Sequence, residues 1–392
     1  MLLPIMLLSA AGFTILTTEF LIIGLLPPMA RDLHVTVSQA GLLVSLFAFT
    51  VASTGPLLTA LAARLERKRL FVGVLILFGL SNILAACAPN IWIMAVARFV
   101  PALALPVFWS LASATAVELV GPAHAGRAIS MVAFGIVAAT VFGIPLGVLI
   151  SDALGWRAAF ALLAGLSFAK ALLLTWRFPV LRRSGDGLRL SAQLRIVRDP
   201  VVLAHVLLSL LVFTGMFTAY TYLADMLERL AGLDGRLVGW SMMGFGAIGI
   251  LGNSLGGRLA DKTPLGATAL FTALMAASLA LLTFAMRAPT SLALTLAAWG
   301  IAQAALFIVC HVRVMKSAPQ APAFAASLNI SGANIGIGLG AVAGGNVIDH
   351  LGLHALGWAS ALILLAALML ALTLLLRSRH PPRATVCQGA AS

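Results

Sequence analysis

Two charged side chains sit inside long apolar runs of this sequence, where an ionisable group most needs a purpose. Glu19 lies in the run Ile5 to Leu26, and Arg98 in the run Ile91 to Val117. A charge at that depth of a membrane costs several kcal/mol or more, so it persists where it faces a partner or a water-filled cavity. Removal from water moves carboxyl titration towards neutral pH. A carboxyl that takes up and releases a proton near neutrality is the part that a proton-driven process requires. A structural hydrogen bond to a neighbouring helix is the competing reading of Glu19. Each charge lies about seven residues in from the same end of its run, so at 1.5 Å per residue both sit roughly 10 Å below one surface. They are therefore expected to interact, directly or through water, as a switching pair or as a static pair that fixes helix register. Lys170 lies near the opposite end of the run Trp156 to Trp176, and its long stem is expected to snorkel to the interface.

Neutral groups form a second set of candidates. The seventh apolar run carries Thr218, Tyr220 and Tyr222, the tenth Gln303, and the eleventh Asn329 and Asn334. Hydrogen-bonding groups beside aromatic rings suit uncharged polar molecules. Phe13, Phe20, Phe108 and Trp109 offer faces on which a ring could stack, with packing or interface anchoring as the alternative for each. Gly143-Ile144-Pro145-Leu146-Gly147 combines a proline, which removes a helix donor, with small residues that allow close helix packing. Catalytic sets are missing from the pattern. Gly332 to Gly340 is glycine-rich but lies within an apolar run, no phosphate-binding loop of the G-x-x-x-x-G-K-S/T type occurs, and ATP is therefore not the expected driver. Cys87, Cys310 and Cys387 are far apart and form neither metal-ligand spacing nor a disulfide framework. No enzyme activity, metal or cofactor is expected.

The elements that hold these residues follow from composition. Of 392 residues, 61% are hydrophobic and 9% charged, against about 25% charged in soluble domains. A soluble body of this size cannot hide so much apolar surface. A bilayer can accept it, provided that every backbone polar group is paired within its segment, which makes long runs helices. Twelve runs of about 20 residues are legible, six before and six after a polar stretch. We expect an all-α membrane protein with six-helix bundles at 1–177 and 201–377, a linker at 178–200 and a disordered tail at 378–392. The net charge of +13 does not indicate nucleic acid, because it sits in short gaps between runs. Alternate gaps hold eighteen and five Lys and Arg residues. The richer set is expected in the cytoplasm, with both termini. The first run has no basic leader or cleavage site and is read as retained. The excess of Arg over Lys, with abundant Ala, Leu and Gly, points to a bacterium with a GC-rich genome.

The two halves also repeat. Leu61-Ala62-Ala63-Arg64 matches Leu259-Ala260-Asp261-Lys262, Gly41 matches Gly239, and Asp152-Ala153-Leu154-Gly155 matches Asp349-His350-Leu351-Gly352. Duplicated bundles of this kind hold substrate between the halves near mid-membrane.

These features resemble the major facilitator superfamily, and within it the twelve-helix drug:proton antiporter branch that includes bacterial sugar, purine-nucleoside and chloramphenicol exporters. Thr18-Glu19-Phe20 with Gly24-Leu25-Leu26-Pro27 and Ala30-Arg31-Asp32-Leu33 is similar to the first-helix signature. Arg98-Phe99-Val100 resembles the fourth-helix arginine motif, and Gly143 to Gly147 the fifth-helix antiporter motif. Gly257-Arg258-Leu259-Ala260-Asp261-Lys262 looks like the second-half copy of the loop motif, in which Arg258 and Asp261 would latch helix ends. The first copy keeps Arg64, Arg67 and Lys68 but has Ala63 and Glu66 where Asp and Gly are usual. The resemblance implies helices one and four side by side at the cavity, helices seven and ten opposite, Glu19 and Arg98 in proton coupling, and a monomer in the lipid bilayer. It implies export of a small neutral polar or amphipathic compound, such as a sugar, a nucleoside or chloramphenicol, in exchange for protons. An importer or uniporter on the same fold, or a sensor that lost transport, are the alternatives.

Overall fold

A computed structural model describes residues 2–62, 65–121, 125–179 and 199–379. Every regular element among them is helical: α1 (Leu2–Asp32), α2 (Val37–Ala62), α3 (Arg67–Ala86), α4 (Ile91–Val120), α5 (Ala125–Ala138), α6 (Ile144–Leu154), α7 (Trp156–Arg177), α8 (Pro200–Tyr220), α9 (Leu223–Arg229), α10 (Gly235–Lys262), α11 (Pro264–Ala285), α12 (Pro289–Ser317), α13 (Pro322–Leu351) and α14 (Leu356–Arg379). Most of the 178–200 stretch, most of the tail, and Ala63 and Arg64 lie outside the described residues.

Local chemistry sets the boundaries. Asn90, Asp199 and Asp234 accept from the first free N–H groups of α4, α8 and α10, which supplies partners that a helix start lacks. Gly155 and Gly352 end α6 and α13 with the same φ of 86°, a conformation that glycine adopts without a Cβ penalty. They are the matching glycines of the sequence repeat, so the duplication extends to backbone conformation. Pro145 follows a π turn, Ala139–Gly143, that joins α5 to α6. The wider turn accommodates the donor that proline lacks.

Eleven segments among the described residues are long and apolar enough to cross a membrane. The eighth apolar run falls in α10, a 28-residue helix whose glycines at 239, 244, 246, 249, 252, 256 and 257 lower its hydropathy. Five of those seven glycines serve packing. A Cβ on Gly252 would overlap the backbone of Ile301, and one on Gly256 would meet Ala305, so α10 lies close against α12. Arg313 corrects the loop tally: it is 1% exposed within α12 and donates to the His205 carbonyl and the Ser209 hydroxyl of α8.

The halves meet mainly along α2 with α13 and along α6 with α10. Their contacts run from the arginine-poor end to mid-span. Arg31 pairs with Glu228 at 2.5 Å, Ser38 donates to Asp349 at 2.8 Å, and Ser45 donates to the Gly338 carbonyl at 3.0 Å. Phe20 of α1 meets Phe217 of α8 with ring centroids 5.9 Å apart.

Candidate functional site

Arg98 of α4 is 2% exposed and forks onto α1, donating to the carbonyl oxygens of Thr18 at 2.6 Å and Glu19 at 2.7 Å. Its guanidinium lies 4.3 Å from the Phe47 ring centroid, so α2 closes the pocket from the other side. Asn82 of α3 donates to the Thr18 hydroxyl at 3.1 Å, and that hydroxyl donates to the Thr14 carbonyl. The arginine therefore grips the backbone of α1 at the level of Glu19 and makes no hydrogen bond to the Glu19 carboxylate. Glu19 is 8% exposed. Its carboxylate makes no hydrogen bond or ion pair among the described residues, yet it is absent from the fully enclosed unpartnered atoms. It opens onto accessible space with a guanidinium close behind it.

Lys170 departs from the sequence expectation. Its ammonium does not snorkel outward but turns onto α1, where it donates to the Ala10 carbonyl at 2.7 Å and to the Thr14 hydroxyl. It also lies 4.9 Å from the Phe13 ring centroid. The stem is long enough to reach either way, and the backbone carbonyls of α1 are nearer than the interface.

Across from α1, four side chains from three helices form a compact aromatic group. Tyr220 of α8 stacks on Phe245 of α10 at 5.7 Å and 22°. Both present edges to Trp299 of α12, at 6.4 Å and 5.4 Å. The Trp299 indole donates to the Gln303 side-chain oxygen at 2.9 Å. Phe217 joins this group to Phe20, next to Glu19. Rings, one phenol and one amide are thus linked through Phe217 and Phe20 to the helix that carries Glu19.

Other expected residues lie elsewhere. Phe108 is fully buried and packs edge-on against Phe71 in the core of the first half, which removes it from a cavity wall. Trp109 packs against α1 at Gly12. Thr218 is buried and bonds back to the Thr214 carbonyl. Tyr222 donates to the Ala341 carbonyl at 2.7 Å, and a Cβ on Gly41 would overlap its hydroxyl. It belongs to the contact between the halves, not to a substrate wall. Asn334 donates to the Ile330 carbonyl, and Asn329 and Asn334 both keep a buried side-chain oxygen without a partner. Gly143 and Gly147 face Thr17 and Leu21 of α1, where a Cβ would overlap either side chain. The motif around the buried Pro145 is thus a close-packed seam.

The loop latches also take another form. Among the described residues Arg258 and Asp261 make no ion pair, and Lys316 of α12 instead donates to the carbonyls of Ala260 and Asp261, as a cation suits a helix C-terminus. In the first half Glu66 pairs with Arg69 at 2.8 Å, Arg67 is 5% exposed, and Lys68 is half-buried.

Sequence reading missed Asn82, Phe47, Phe245 and Trp299. Only Trp299 carried a usable signal, its i, i+4 spacing to Gln303 on one helix face.

A buried carboxylate and arginine thus lie on one half of the chain, and an aromatic and amide group on the other. The family model described as Major Facilitator Superfamily matches residues 8–321 and 232–386. The chain belongs to the major facilitator superfamily. It is 31% identical to the inner membrane transport protein YdhP of Escherichia coli (strain K12), over 98% of each chain. It is 30% identical to a probable sugar efflux transporter of Pasteurella multocida (strain Pm70), over 92% of this chain and 89% of that one. Among solved structures, the fold matches a bacterial homologue of the human lysosomal transporter Spinster in an inward-facing, occupied conformation, with a TM-score of 0.77, 19% identity and 96% of each chain covered. It also matches a D-xylose–proton symporter, with a TM-score of 0.77, 17% identity, and 94% and 97% covered. This facilitator-family chain is a multi-pass membrane transporter.

Proposed function

We propose that this transporter is a proton-coupled antiporter of a bacterial inner membrane that exports a small neutral polar or amphipathic compound. The carrying observation is the Glu19 carboxylate, which makes no hydrogen bond among the described residues while Arg98 donates to the carbonyls of Thr18 and Glu19, with Tyr220, Phe245, Trp299 and Gln303 grouped on the second half. The carboxylate takes a proton and the ring-and-amide group takes the substrate. Sugar efflux in a relative at 30% identity supports a compound of the sugar class. In this reading α10 is the twelfth span, both termini are cytoplasmic by the excess of Lys and Arg on that side, and the contacts at the arginine-poor end close the outer face. The conformation then faces the cytoplasm, ready to load.

The test uses everted vesicles that carry the protein, energised so that the lumen is acid. A pH dye reports proton release while pentoses, ribonucleosides and chloramphenicol are added in turn. Dissipation by one compound with the wild type, and not with Glu19→Gln, supports antiport through Glu19. If no compound moves the dye while radiolabelled sugar still equilibrates, uniport replaces antiport.

A further inference from the structure

The two aspartates of the sequence repeat, Asp152 and Asp349, stand in the last turns of α6 and α13, each three residues before the glycine that ends its helix. A carboxylate there meets the negative end of its own helix, a place that favours cations. The helix that carries it gains nothing from the charge. Neither aspartate forms an ion pair among the described residues.

Each aspartate instead reaches the start of a helix in the opposite half. The Asp349 carboxylate accepts from the hydroxyl of Ser38, the second residue of α2, at 2.8 Å. The Asp152 carboxylate sits against Gly235, the first residue of α10, where a Cβ would overlap it. The receiving helices are also repeat mates, because Arg236 precedes Gly239 by three residues as Ser38 precedes Gly41. One contact is thus made twice, with an acid from the end of one helix on the first turn of another. The start of α10 suits an anion. Asp234 takes the N–H of Leu237, those of Gly235 and Arg236 have no partner among the described residues, and Arg236 adds positive charge.

We propose that Asp152 and Asp349 form a duplicated latch that holds the arginine-poor end shut. Each charge is unfavourable at its own helix end and is kept for the helix start across the seam. Transport by rocking of the halves requires this end to part, and both contacts then break together. No driving ion and no particular substrate enters this, so it is independent of the role of Glu19. A cavity of about 200 Å³ lined by Arg31, Ser151, Asp152, Glu228 and Gly235 borders the first latch. Each latch is therefore weak, about threefold in the ratio of closed to open, and the end stays able to open.

Spin labels on Pro89→Cys and Thr290→Cys, exposed positions beside the starts of α4 and α12, read the opening of this end in lipid, in a background without Cys87, Cys310 and Cys387. Asp152→Asn and Asp349→Asn should each raise the ratio of open to closed about threefold, and the double variant about ninefold. Melting should stay at or above the wild-type temperature, because each helix end loses an unfavourable charge. Gly235→Ala displaces the Asp152 carboxylate from the other half. It should open the end by a like factor and add little to Asp152→Asn, and Ser38→Ala should behave likewise with Asp349→Asn. If an Asn variant does not fold, the Gly235 or Ser38 variant still decides. Wild-type distances in both Asn variants overturn the latch. Opening by one of the two alone overturns its duplication. A fall in melting temperature without opening would make the aspartates supports of their own helices, which also overturns it.

Discussion

The indole N–H of Trp299 is held by the side-chain oxygen of Gln303 one turn further along α12, at 2.9 Å. The amide nitrogen makes no hydrogen bond among the described residues and is not fully enclosed, which leaves a donor available to a ligand. Gln303→Leu should strand the fully buried Trp299 donor and cost about 1–3 kcal/mol. It should also weaken substrate binding about tenfold, one lost hydrogen bond's worth. The double variant Trp299→Phe/Gln303→Leu should recover thermal stability but not affinity. Melting of the purified protein, read beside substrate-driven proton movement, separates the two effects. Recovery of both would place the pair outside the site.

Arg98 is the next test, because its contacts are to carbonyls and not to a carboxylate. Lysine keeps the charge but not the planar fork that spans two acceptors at 2.6 and 2.7 Å. Arg98→Lys should fold, because one carbonyl contact survives, yet lose transport by at least about tenfold if α1 must be gripped at both residues. Wild-type transport in this variant would show that charge alone suffices.

At the arginine-poor end, Arg31 and Glu228 join the halves through side chains that are 63% and 31% exposed. Such a pair contributes about 0.5 kcal/mol, enough to bias two states about twofold but not to lock one. Glu228→Arg replaces attraction by repulsion and should open this end. The readout is labelling of Ser38→Cys by a membrane-impermeant thiol reagent, in a background without Cys87, Cys310 and Cys387. Labelling should rise several-fold, and the swap Arg31→Glu/Glu228→Arg should bring it back. Unchanged labelling would mean that Ser45 on Gly338 and the close approach of Tyr222 to Gly41 hold the contact without the ion pair.

The parts of this architecture that sequence shows most clearly are those written in long apolar runs and in the charges that interrupt them. Glu19 and Arg98 stand out because an ionisable residue is rare in such runs, and the structure brings Arg98 onto the Glu19 backbone. Tyr220 and Gln303 stand out as polar groups in the same setting. Trp299 and Phe245 do not, because an aromatic ring among leucines reads as packing. Lys170 was misplaced for a geometric reason: a flexible stem near a helix end reaches water or a neighbour's carbonyl equally well, and only the packing of α7 against α1 decides. Phe108 and Tyr222 went astray because residues on one helix point to different neighbours, a fact that spacing alone does not carry. The low hydropathy of α10 has a physical origin too, since the glycines that admit α12 are poor membrane formers.

Two other glycines of α10 give an internal control. A Cβ on Gly246 would lie 2.6 Å from the Thr140 carbonyl in the π turn of the other half, whereas one on Gly244 would meet nothing within 4 Å. The Thr140 oxygen is backbone and cannot swing aside as a side chain does. Gly246→Ala should therefore push α10 from the α5–α6 turn and disfavour the conformation closed at the arginine-poor end. Gly244→Ala should leave that balance alone and gain up to about 1 kcal/mol from the lower backbone entropy of the unfolded chain. Spin-label distances between α6 and α10 read the separation directly. A widened distribution for Gly246→Ala beside a wild-type one for Gly244→Ala would make the seam between α6 and α10 part of the moving contact. Equal distributions in the two variants would mean that α10 slides past the turn without closing on it.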